Sequence, residues 1–102
     1  MSEPLIQHNV GAQHNNLPPE VVQASAVCWA QVIDAYLVDA AFVGGRYAAR
    51  AFMDKSGEVL DGMTVITPLV EIITKKGGFL LVRSLSHRDH YVIASLNGSG
   101  QE

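Results

Sequence analysis

The chain has 102 residues, with 48% apolar and 17% charged residues and a formal charge of −3 at neutral pH. That length suits one domain with its own core, and the acidic balance, with no basic stripe or tail, disfavours nucleic acid as a partner. The single cysteine, Cys28, excludes an intrachain disulfide, and the low charge density favours self-association, with a dimer as the first expectation.

Residues 1–16 are rich in Gln, Asn and His and show no period, so they read as a flexible arm carrying Leu5, Ile6 and Val10 as docking residues. They lack the apolar stretch of a secretory signal. The apolar-rich run from Val21 to Val43 is broken by Gln23, Ser25, Gln31, Asp34 and Asp39, which argues against a membrane span and makes a cytoplasmic location the default. The globular domain is expected over 17–96, followed by a polar tail at 97–102.

Pro18-Pro19-Glu20 has the chemistry of a helix start. Stepped at 100° per residue, Val22, Ser25, Trp29, Val32, Ile33, Tyr36, Leu37 and Ala40 share one side, with Glu20, Gln23, Gln31 and Asp34 opposite. This predicts one amphipathic helix over 19–42, stopped by Gly44-Gly45. Val27 and Val38 fall in its polar arc and point to a second contact, such as another subunit. A strand competes for the same stretch, because Val27–Val38 is rich in β-formers and Gly44-Gly45 also suits a hairpin.

The remainder is punctuated as a β-meander. Tyr47, Ala49, Ala51 and Met53 alternate with Arg46, Arg50 and Asp54, giving a strand with one wet face. Turns follow at Asp54–Gly57 and Asp61-Gly62. Strands are expected over 63–67, 69–74, 79–85 and 91–96, with Pro68 marking a kink or an edge and Lys75-Lys76-Gly77-Gly78 a hairpin tip. The expected fold is α+β, with the N-terminal helix packed across a twisted antiparallel sheet of four or five strands. The alternative is an all-β small barrel with 27–38 as a strand.

The densest polar group is Ser86-His87-Arg88-Asp89-His90-Tyr91. His87 and His90 offer metal ligands, with His8 and His14 to complete a set, but spacing by three suits a helix better than a turn. Asp89 and His90 offer an orienting group and a base, yet no nucleophile accompanies them. Arg88 with the histidines offers an anion or partner site, against the plainer reading of a solvated turn. The His87-Arg88-Asp89 tripeptide also occurs in protein kinases, but the other kinase elements are absent. Cys28 is expected to be a buried, inert thiol beside the helix's apolar face. Arg46 and Arg50 are expected to pair across strands with Glu58 or Glu71, the alternative being that they line an anion pocket. Trp29 and Tyr36 are expected to plug the space between helix and sheet and to border any pocket there.

Asp61-Gly62-Met63-Thr64-Val65-Ile66-Thr67-Pro68, then Gly78–Ser84, then His90-Tyr91-Val92-Ile93 together resemble the β-rich C-terminal part of small uncharacterised proteins carried by phages, plasmids and integron gene cassettes. The resemblance covers 58–95 and implies a mobile-element accessory protein; it brings no catalytic residue. The leading expectation is a non-enzymatic interaction module that self-associates, without cofactor or metal. The alternative is a small-molecule binder or small enzyme using a helix–sheet pocket or the His87–Tyr91 turn.

Overall fold

A computed structural model of the chain describes residues 17–98. The expected arm at 1–16, with His8 and His14, lies outside the described residues, as do positions 99–102 of the expected tail. One short helix, α1 (Pro19–Ser25), precedes six strands: β1 (Ala35–Val43), β2 (Arg46–Phe52), β3 (Met63–Ile66), β4 (Val70–Lys76), β5 (Phe79–Ser84) and β6 (His90–Ile93). They form one six-stranded sheet in the order β3-β2-β1-β6-β5-β4. The sheet is mixed: β1 runs parallel to β6, with Ala35, Tyr36 and Leu37 opposite Tyr91, Val92 and Ile93, while every other pair is antiparallel.

The helix expected over 19–42 is therefore corrected to seven residues, followed by a loop and a central strand. The loop begins where the Trp29 indole N–H donates to the Ala24 carbonyl (2.9 Å), satisfying one of the helix's last carbonyls from the side chain. Ala30 then takes a φ of 59°, which no helix tolerates. Beyond it, Ala35, Tyr36, Leu37 and Val38 are all buried, because the strand they form is covered on both faces. Gly44 and Gly45, with φ of 61° and 84°, close the β1–β2 hairpin in the doubly left-handed geometry that tight hairpins need. A side chain at Gly45 would also meet Leu69 at 3.0 Å.

The sheet curls. A flat sheet of this order would hold β3 and β4 about 24 Å apart, five strand spacings. The four Cα steps from Ile66 to Val70 reach at most about 15 Å. The edges must bend toward each other, and the Val70 N–H donates to the Gly45 carbonyl (2.9 Å) where they approach. At Asp39, φ is 56° and the β1–β2 register shifts, a bulge of the kind that increases local twist. Two apolar layers result. Outside, α1 lays Val21 and Ala24 against Trp29, Tyr36, Val38, Phe52, Leu81 and Val92. Inside, Leu37, Tyr47, Ala49, Ala51, Val82 and Ile93 face the concavity. Past β6 the chain stays on β1, where the Asn97 N–H donates to the Ala40 carbonyl.

Candidate functional site

The turn between β5 and β6 is organised by Ser84, which is fully buried. Its hydroxyl oxygen accepts from the backbone N–H groups of Arg88 and Asp89, both at 3.1 Å, and lies 3.0 Å from the Ser86 hydroxyl. The backbone closes around it, since Ser84 N–H donates to the Asp89 carbonyl and His87 N–H to the Ser84 carbonyl. His87 sits at a φ of 67° with its ring exposed, 3.5 Å from Glu71. Glu71 accepts two hydrogen bonds from Arg83, at 3.1 and 2.7 Å. These bonds, and behind them the charges of Arg83 and His87, hold its carboxyl below the ordinary range against a smaller opposing effect of burial.

The five candidates of this turn are thus separated. His87 joins the Glu71–Arg83 pair, Arg88 is exposed, and His90 is tied through its backbone to Asp34. Among the described residues no cluster of three or more His, Cys, Asp or Glu side chains is placed to hold a metal ion. The expected pairings of Arg46 and Arg50 are also corrected. Arg50 meets Asp39 at 3.2 Å and Arg46 donates to the Thr67 carbonyl, while Glu71 belongs to Arg83.

Tyr91 goes elsewhere. It alternates inward from β6 and borders a cavity of about 160 Å³ inside the curl, walled by Ala35, Leu37, Ala51, Val59 and Val65. Asp54, Thr67 and Tyr91 are its polar members. The position of Asp54 follows from the backbone. Asp34 N–H donates to the His90 carbonyl, the Asp34 carboxylate accepts the His90 N–H, and the Asp34 carbonyl accepts the Lys55 N–H, each at 2.8 Å. The loop after β2 is thereby fastened to the start of β6. Asp54 Oδ2 then accepts from the Ser56 hydroxyl and from the N–H groups of Glu58 and Val59. The bond from Ser56 leads in holding this carboxyl below its ordinary value, with the backbone donors adding to it and burial opposing. The Tyr91 phenol is pushed the other way, up to about 12, by burial first and then by Asp89, Asp34 and Asp54. At neutral pH the cavity therefore carries an ionised carboxylate and a neutral phenol. Thr67 is already committed, accepting from Tyr47 N–H and donating to the Pro68 carbonyl.

Trp29 and Tyr36 are both buried in the outer layer with Val21 and Ala24, so the space between helix and sheet where a pocket was expected is occupied by packed side chains. Cys28, expected to be buried, is exposed on the loop. Its carbonyl accepts from Lys76 Nζ at 2.8 Å, and that ammonium lies 5.9 Å from the Trp29 ring centre.

The second notable surface is the edge of the sheet. Among the described residues β4 pairs only with β5, so beyond Val70, whose N–H is taken by the Gly45 carbonyl, its outer side is open. Ile72 is 60% exposed and Ile73 41%, and Leu69 and Leu85, joined by a backbone hydrogen bond at the strand's entrance, are also exposed. Sequence reading located neither feature. The alternation at Ala49 and Ala51 marked an inward face without showing that small residues leave room there. Ile72-Ile73 read as an ordinary strand because edge position is a property of strand order. No family model matches the chain, and no curated protein or solved structure matches it.

Proposed function

We propose that the protein is a non-enzymatic interaction module that works as a homodimer joined through β4. The observation that carries this reading is the open β4 edge lined by exposed Leu69, Ile72, Ile73 and Leu85. Unpaired strand edges are templates for another strand, and the irregularity between Ile72 and Thr74 and the terminal Lys75-Lys76 blunt this one only in part. The β4 sequence, Val-Glu-Ile-Ile-Thr-Lys-Lys, is acidic near its start and basic at its end. Two copies paired antiparallel about an axis between Ile73 and Thr74 set Glu71 of each opposite Lys76 of the other, beside the contacts these side chains make with Arg83 and the Cys28 carbonyl in their own subunit. Both residues then lie on the outer side of the joined sheet, as the register of Glu71 with Arg83 and of Lys76 with Phe79 requires. Such a contact is self-complementary, as a two-fold interface must be. An accessory role of the kind implied for 58–95 by integron-cassette and phage proteins is part of this proposal.

Sedimentation velocity of the full chain at micromolar concentration tests the reading. Wild type should sediment as a dimer and Ile72→Lys/Ile73→Lys as a folded monomer, since both side chains are exposed in the single subunit. A monomeric wild type, or a dimer that survives the double substitution, overturns it.

A further inference from the structure

Independently of the oligomeric state, we propose that the cavity inside the curl binds a compact organic amine, with its apolar body among Ala35, Leu37, Ala51 and Val65 and its ammonium against the Asp54 carboxylate. Size supports the first half. The cavity measures about 160 Å³, and an apolar cavity of roughly 150 Å³ takes a benzene-sized molecule. The walls are aliphatic, so a ring or short branched chain is favoured over a sugar or nucleotide, which would leave polar groups without partners.

Charge supports the second half. Asp54 is the one ionisable lining group besides the Tyr91 phenol, and no lysine, arginine or histidine lines the cavity. The carboxylates of Asp34 and Asp89 act on the same phenol from outside the lining. A carboxylate or phosphate would be repelled there, and a hydrocarbon would gain nothing from Asp54, whose Oδ2 is already held by three donors. An ammonium pairs with it in a charge-assisted hydrogen bond. The orientation of Asp54 is set beforehand, because Ser56, Glu58 and Val59 fix Oδ2 within the loop. Thr67 contributes shape only, its hydroxyl being engaged by the main chain.

The test is a methyl-NMR titration of the full chain at neutral pH with three probes of one shape: benzylamine, benzyl alcohol and benzoate. Benzylamine should shift the methyl signals of Ala35, Ala51, Val59 and Val65. Benzyl alcohol should bind roughly tenfold more weakly, the worth of one charge-assisted contact, and benzoate should leave these methyls unmoved. Asp54→Asn should bring the amine down to the level of the alcohol, and Ala51→Val, which fills the cavity, should weaken both. Benzoate binding as well as the amine, no shift of these methyls with benzylamine, or an amine preference that survives Asp54→Asn overturns the proposal. Should Asp54→Asn fail to fold, the ranking of the three probes on wild type still decides.

Discussion

Replacing Ser84 by alanine tests the physical reading of the turn that holds most of the sequence-derived candidates. The hydroxyl is fully buried and accepts two backbone hydrogen bonds, from Arg88 and Asp89. Alanine removes the acceptor and leaves both N–H groups without their protein partner. A donor left unsatisfied in this way costs about 1–3 kcal/mol when fully buried. Arg88 is exposed and Asp89 half-buried, so solvent offsets part of the loss, and about 2 kcal/mol for the pair is expected. For a domain of this size that lowers Tm by roughly 10 °C. Ser86→Ala is the control: Ser86 is exposed, and its loss leaves Ser84 free to accept the same two bonds, so a change within about 0.5 kcal/mol is expected. Urea and thermal unfolding followed by circular dichroism give both numbers. Equal effects of the two substitutions, or a Ser84→Ala loss below about 0.5 kcal/mol, would refute the claim that this hydroxyl organises the turn.

Two further outcomes follow from the packing and the charges. Leu37 is fully buried in the inner layer on the central strand, so Leu37→Ala should cost about 3–5 kcal/mol in chemical denaturation, whereas the exposed Ile66 should tolerate alanine with little change. Tyr91 ionises near 10.0 when unfolded and about 12 when folded, so its contribution is fully present below pH 10.0 and is lost as pH rises toward about 12. Burial also raises the phenols of Tyr36 and Tyr47, which fade in the same direction. Ultraviolet titration of the phenols against stability should show a shallower alkaline loss in Tyr91→Phe than in wild type.

The strands from β2 onward were legible because local chemistry delimits them: glycine pairs, Asp-Gly and Pro68 each occupy turns or an edge in the structure. The N-terminal third was not, and β1 shows why. Its residues Ala35–Val38 are buried on both sides, between α1 outside and the concavity inside, so the alternation that marks a half-wet strand is missing. A continuous apolar run also satisfies a helical projection, and Ala26–Asp34 happened to extend it. Strand order was beyond reach for another reason. The parallel pairing of β1 with β6 joins residues far apart in the chain, and no turn signal reports it. The candidate site divides in the same way. Tyr91 was singled out as part of a polar cluster, but its cavity is made by Ala35, Ala51 and Val65 from three other strands.

The β4 contact is tested most directly by amide hydrogen exchange as a function of protein concentration. The account predicts that amides within Ile72–Lys75 exchange more slowly as concentration rises, while those of β3 at the opposite edge do not change. Exchange at β4 that is independent of concentration, or protection that grows at β3 instead, would contradict it.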